Sequence, residues 1–372
     1  MPKPLGDWLE RHGSETRLAL RTTLAALITF ALAHLFRLPQ GYWAVLTSVI
    51  VMQGSVGGSL KASIDRMIGT FAGAIWGVAV TLAIPHRGIP ALALTLALAL
   101  APLALVAALR PSFRVAPVTA IIVLLSTSSV QEGPVPYAVD RVFEIGLGCI
   151  IGLAVSLFVL PGRAHGLLAG SAADVLRALT DLVETLLRDL AESPDRAVIL
   201  EIHHRLRRAM ARAETLAEEA KRERANRLTD EPDPDPVIRN LRRLHHDLTA
   251  VGRAVATPMP LQGRQHLAEP VAALRRAIAD FLTGAARAFA TRGSPPSLGP
   301  VDTALAAFAE AITAMRGSGA LREQSGETVA QVYGLVFALQ QLREDLRDLA
   351  DRVAERATPA RRADAKPADA DA

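Results

Sequence analysis

Cysteine is almost absent from this chain of 372 residues: Cys149 stands alone, so no disulfide can close within it and no oxidising compartment is required. Aromatic residues make up only 4%, and no basic stripe is interleaved with them, which removes the usual footprint of nucleic-acid binding. No phosphate-cradling glycine loop, nucleotide motif or nucleophile elbow occurs, so neither an ATP-driven pump nor an enzyme is expected and no cofactor is called for. Charge is sparse too. Charged residues are 21% of the whole, and the long apolar runs up to about residue 161 are nearly free of them.

What is present is grease and symmetry. Half the residues are apolar and the mean hydropathy is +0.26, too high for an ordinary soluble chain. The apolar runs end near Pro161, and the rest is rich in Arg, Asp, Glu and Ala. We therefore expect an all-α membrane protein with a transmembrane domain over residues 1–163, a cytoplasmic helical domain over 164–356 and a disordered tail over 357–372.

A bilayer core takes roughly 20 apolar residues per helix. Six spans fit, at about 18–36, 41–56, 64–84, 89–109, 115–130 and 139–160. An even number leaves both ends on one side. Lys3, Arg11, Arg17, Arg21, Lys61, Arg66, Arg110, Arg114 and Arg163 fall on that side, against Arg37, Arg87 and Arg141 opposite, so both termini are expected in the cytoplasm and the membrane, in a bacterium, is the inner one.

The segments DRMIGTFAGAIWGVAVTL from Asp65 and DRVFEIGLGCIIGLAVSL from Asp140 align without a gap, 75 residues apart. Each copy carries three spans, so the second must thread the membrane upside down: a 3+3 inverted-topology repeat, a design that places substrate near the midplane on short or interrupted helices. The second and fifth spans suit that role. Thr47 and Gln53 in one, and Thr119 and Ser126 in the other, can line a polar pathway, or their hydroxyls can simply bond back to the preceding turn.

Gly69, Gly73 and Gly77 recur every fourth residue, as do Gly148 and Gly152, which predicts close crossing of the third and sixth spans at the centre of the fold or at a dimer seam. Asp65 and Asp140 are placed at helix starts, where a carboxylate caps free N–H groups. Arg66 and Arg141 oppose the helix dipole there. Placed one near each mouth, they suit an anion route, although Arg66 can also serve as a topology marker that snorkels. Glu144, one turn further in, either pairs with Arg141 or carries a proton.

The stretch from Gly41 to Gly77 carries a further signal in Gly41-Tyr42-Trp43-Ala44, Leu46-Thr47, Gly57 and Arg66-x-x-Gly69-Thr70-x-x-Gly73. It resembles the fusaric-acid-resistance and aromatic-acid-exporter family and, more distantly, the plant aluminium-activated malate transporters. The resemblance implies export of aromatic carboxylates or other organic anions, with an anion channel as the alternative; a membrane-anchored helical scaffold is the third reading. Long members of that family carry two membrane halves where this chain has one, which implies a homodimer, and a periplasmic adaptor is a further partner it would allow. The family often has proline near the end of the second span, where Gly54 stands here.

Beyond Pro161, helices are expected at about 164–192, 195–228, 237–256, 264–292, 300–316 and 322–356. The last carries a three-four seam, Val332, Leu335, Leu339, Leu342, Leu346, Leu349 and Val353, suited to packing within the chain or across a dimer. His203-His204 and His245-His246-Asp247 lack any metal-ligand spacing, so no metal site is expected.

Overall fold

The structure, a computed structural model, describes residues 13–84, 88–127, 133–188, 195–256, 261–318 and 326–358. All regular structure among them is helical. The chain divides into two compact units, Met1–Arg163 and Ala164–Ala372.

In the first unit every apolar run is a helix: α1 Gly13–Leu35, α2 Tyr42–Val51, α3 Val56–Ala83, α4 Ile89–Leu109, α5 Ala116–Thr127 and α6 Pro134–Phe158. Four of these, α1, α3, α4 and α6, are long and apolar enough to cross a membrane. The expectation of six full spans is corrected here. With 10 and 12 residues, α2 and α5 reach only about 15 and 18 Å at 1.5 Å per residue, against a hydrocarbon core of about 30 Å. At the end of α2, Met52 is extended and Ser55 restarts the chain as N-cap of α3, its hydroxyl accepting from the Gly58 N–H.

That cap moves the helix start. Asp65 and Asp140 are not at helix ends, as expected from sequence, but ten and seven residues into α3 and α6; Asp65 instead meets Lys61 at 3.6 Å. Ser55–Ser63 reads as a loop in a hydropathy scan because it is rich in small and polar residues, but the fold turns them inward: Gly57, Gly58, Ser59 and Ser63 are buried.

The glycines also pack elsewhere than expected. Gly73 faces α5, and a Cβ placed there would sit 2.3 Å from the Ala116 carbonyl oxygen and 2.7 Å from Thr119 Cβ. Gly148 faces α2 in the same manner, 2.3 Å from the Ala44 oxygen and 2.8 Å from Thr47 Cβ. Gly77 meets Ala120 and Val123, and Gly152 meets Ser48 and Val51, while Gly69 lies against Val115 and Ala116. The small residues thus seat the two short helices against the two long ones. α3 and α6 do pack against each other, as expected, but through side chains rather than these glycines: Ala62 and Met67 lie against Ile145 and Cys149, Ser156 Oγ donates to Ser59 Oγ at 3.1 Å, and Cys149 Sγ lies 3.7 Å from the Ser63 carbonyl.

The second unit holds α7 Ala164–Leu186, α8 Arg196–Ala225, α9 Asp235–Ala254, α10 Leu261–Thr291, α11 Gly299–Gly317 and α12 Gly326–Ala357. Their apolar faces close one large core, and the α12 seam from Val332 to Val353 is buried in it with Leu241, Leu244, Leu248 and Val251 of α9, so it packs within the chain. Glu223 of α8 caps α7, both its oxygens 3.0 Å from the Ala164 N–H. The tail expected to be disordered over 357–372 lies outside the described residues from 359 on.

Candidate functional site

The first unit turns its apolar side chains outward and buries charge. Leu27, Phe30, Ile75, Phe143 and Ile150 are exposed on its surface, while Arg21, Arg141 and Glu144 are 1%, 2% and 2% exposed. An arginine inside a membrane span is costly unless it is paired or lines a pathway. What surrounds each arginine therefore decides its role.

Arg141 sits eight residues into α6, its guanidinium carbon 3.9 Å from the centre of the Trp43 ring and 5.7 Å from that of Tyr137. Glu144 lies one turn on, with Oε2 3.8 Å from Arg141 Nη1, an ion pair by proximity but too long for a hydrogen bond. None of Arg141 Nε, Nη1 and Nη2 has a hydrogen-bond partner among the described residues. The other Glu144 oxygen accepts the Gln40 N–H at 2.7 Å. Tyr137 hydroxyl reaches Ser126 Oγ at 2.9 Å and Gln40 Oε1 at 3.1 Å, which ties α5, α6 and the α1–α2 turn together around the cation.

Further buried donors without a partner among the described residues occur on α2 and α3: Trp43 Nε1, Thr47 Oγ1, Ser63 Oγ and Arg66 Nε. Arg66 lies eleven residues into α3, and its guanidinium is within electrostatic reach of both Cys149 and Arg141. The placement of Arg66 and Arg141 one at each mouth is thus corrected: both lie well inside the helices and share one region. Buried donors left unpaired are rare, because each forfeits its hydration. A set in which nearly every open group is a donor and two are cations is a place an anion would satisfy.

The other residues singled out from sequence separate. Ser126 joins the cluster through Tyr137, and Thr47 through its unpaired hydroxyl beside Gly148. Thr119 is buried against Gly73 with its hydroxyl bonded to the Val115 carbonyl, which is packing. Gln53 is exposed, and among the described residues its amide donates to Ile50 O at 3.2 Å, within its own turn, rather than to the cluster.

Sequence reasoning missed Arg21, counting it as a topology marker. It is buried at the far end of the same seam, about 20 Å along α6 from Arg141 by the rise per residue. Its Nη2 donates to Ser156 Oγ at 2.7 Å and to Gln53 O at 3.2 Å, placing a cation where α2 ends and carbonyls are free. Gln53 N–H in turn donates to Ser59 Oγ at 3.0 Å. The available signal was its position, inside the run ALRTTLAALITF rather than before it.

Two openings complete the geometry. A pocket of about 420 Å³ is lined by Phe36, Pro39, Asp140, Phe143 and Glu144, which brings the surface to the buried carboxylate. An apolar groove of about 750 Å³ lies between α3 and α6 beside Phe71, Ile75, Val139 and Phe143. In the second unit, His203 Nδ1 and His245 Nε2 are 3.3 Å apart, and among the described residues no group of three or more His, Cys, Asp or Glu could hold a metal.

Comparison with known proteins adds the following. A family profile described as the fusaric acid resistance protein family matches residues 16–371. A protein of Escherichia coli K12, described as uncharacterized protein YhfK, is 29% identical over 176 residues, covering 46% of this chain and 24% of that protein. An uncharacterized transporter of the same organism, YdhK, is 32% identical over 68 residues, 18% of this chain and 10% of the relative. The chain thus spans about a quarter or less of the length of these relatives.

Proposed function

Because the chain belongs to the fusaric acid resistance protein family and is a multi-pass membrane protein, we propose that it is a transporter that binds organic carboxylates, aromatic ones among them, at Arg141 and moves them outward. The observation that carries this is the guanidinium of Arg141: 2% exposed, lying on Trp43, and with no nitrogen in a hydrogen bond among the described residues. A carboxylate would take up two of those donors side by side, and an aromatic acid would extend its ring along Trp43. Arg66, Thr47 and Ser63 would continue the donor lining toward the Ser59–Ser156–Arg21 network.

The inverted repeat belongs to the same proposal. The matched seats of Gly73 on Ala116 and Thr119 and of Gly148 on Ala44 and Thr47 support it, with a refinement: the short helices correspond at an offset of 72 residues, not the 75 that relates the glycines. On this reading α2 and α5 are the paired half-helices of such a repeat. Cytoplasmic termini and second unit, an inner-membrane location and a homodimer are parts of the reading that rest on charge placement and resemblance. Cysteine labelling at position 61 from each side, in a Cys149-free background, tests the orientation.

The deciding experiment is flux in proteoliposomes. Arg141→Gln is expected to lower carboxylate flux at least tenfold while the protein still elutes as assembled material. Arg141→Lys should rescue little, since an ammonium cannot offer the planar fork. Unchanged flux in assembled Arg141→Gln would sink the assignment, and wild-type current that follows voltage alone would turn the transporter into a channel.

A further inference from the structure

Glu144 is the carboxylate at the centre of this cluster, and it is held in a way that a plain structural partner of Arg141 would not need. Oε1 is fixed by the Gln40 N–H at 2.7 Å, which leaves Oε2 aimed at Arg141 from 3.8 Å, close enough to neutralise it and too far to bond. The pair as it stands is neutral overall. A carboxylate arriving on the free nitrogens of Arg141 would sit against Oε2, with two like charges on one guanidinium in a region shut from water.

We infer that anion binding at Arg141 is linked to uptake of one proton by Glu144, so that the site loads an organic carboxylate and a proton together. This rests on the reading of Arg141 as the anion site. Two carboxyl groups that share one site cannot both stay ionised cheaply, and the proton goes to Glu144, because the arriving anion bonds the Arg141 nitrogens from which Glu144 stands off at 3.8 Å. Once protonated, Glu144 still accepts from Gln40 through Oε1 and presents an O–H toward the bound anion. The 420 Å³ pocket that Glu144 lines with Asp140 and Pro39 opens the carboxyl to the surface, which gives the proton a way in.

The other charged and titratable groups that face this pair do not remove the conflict. Asp140, on the same helix, adds negative charge near Glu144. Tyr137 and Tyr42 approach Arg141 with their rings and hydroxyls. Arg66 comes from α3 and lies within electrostatic reach of Cys149 as well as Arg141. It eases the arrival of an anion but does not separate the two carboxylates at Arg141. The loaded pair, with anion and proton both present, has the same net charge as the empty one, which keeps the cost of burying it in the membrane unchanged.

The test is calorimetric titration of the full chain in detergent with benzoate, ionised throughout, at one pH in two buffers of different ionisation enthalpy, repeated from pH 6 to 9. Wild type is expected to take up close to one proton per benzoate at the upper end, its apparent Kd rising towards tenfold per pH unit there. Glu144→Gln keeps an oxygen for Gln40 and should bind benzoate with no proton uptake and a flat pH profile. Wild-type binding without proton uptake and with a flat profile would overturn the linkage while leaving Arg141 as the anion site. Absence of benzoate binding in wild type would sink the carboxylate reading, and the linkage with it.

Discussion

The two units of this chain solve the burial of charge in opposite senses. In the first, large apolar side chains such as Phe30, Ile75 and Phe158 are exposed while Arg21 and Arg141 are buried; in the second, the exposed surface is laced with ion pairs such as Arg205–Asp181 and Arg242–Glu214, and leucines fill the core. The difference follows from the solvent each surface would meet. Hydrocarbon welcomes an apolar face and leaves the interior as the place for polar groups, whereas water rewards the reverse. A charge buried in the first unit thus has a surrounding environment that offers it no better exit, and it can be kept poised without a tight partner, as Arg141 is.

The strongest way to break this contrast is to break the packing that holds the buried charges. Gly73 and Gly148 hold α5 and α2 at distances that admit no side chain, since even a Cβ would come within 2.3 Å of a backbone oxygen. Gly148→Leu is expected to abolish assembled protein, read as loss of the monodisperse peak in detergent, and Gly148→Ala to reduce it severely, because backbone rather than a flexible side chain must move. Gly166→Ala, in open space in the second unit, should leave assembly unchanged. Equal damage at both sites would show that the two units are not packed on different principles.

The second unit has an exception to its own rule, and it gives the next largest effect. Asp247 of α9 and Asp345 of α12 are buried close enough to act on each other, with Arg243 Nε 3.1 Å from Asp345. Burial, then the nearby Asp345 carboxyl and its charge, push the Asp247 carboxyl up to about 7 from an ordinary 3.8. A raised carboxyl binds its proton more tightly in the folded state, so the stability it confers is complete below about pH 4 and is lost as pH climbs to about 7. Hydrogen exchange of α9 and α12 amides should therefore show roughly tenfold or greater loss of protection between pH 5 and 8 beyond the chemical rate, since every tenfold gain in proton affinity on folding carries through as tenfold in the folding equilibrium. Asp247→Asn should flatten that loss. Protection that is flat in wild type would mean that the pair ionises freely.

How much of this was legible in the sequence differs between the units for the same reason. The six helices of the second unit lie close to where three-four spacing puts them, because water forces the pattern onto one face. In the first unit hydropathy located the helices but not their ends or their neighbours. Ser55–Ser63 reads as a loop and is the start of α3, so Asp65 and Arg66 were placed at a helix start when they lie two to three turns into α3. The glycine spacing correctly announced close packing but could not name the partner. Arg141 and Glu144 were legible as oddities; Trp43, Tyr137 and Gln40, which make them a site, come from three separate segments that only the fold brings together.

The smallest expected effect is the sharpest on how polarity is used in the first unit. At Gln53 the backbone is engaged at both ends: its carbonyl accepts from Arg21 at 3.2 Å and its N–H donates to Ser59 Oγ at 3.0 Å. Its side chain is exposed and, among the described residues, bonds within its own turn. Gln53→Ala should therefore leave melting in detergent and carboxylate flux nearly as they are, within about 0.5 kcal/mol and about twofold, as for surface positions. Gln53→Pro removes the N–H that Ser59 receives and, if the turn depends on that bond, lowers the melting temperature while leaving the charge of the seam unchanged. A large loss of flux in assembled Gln53→Ala would return the side chain to the pathway and move the anion route toward the end of α2, away from Arg141.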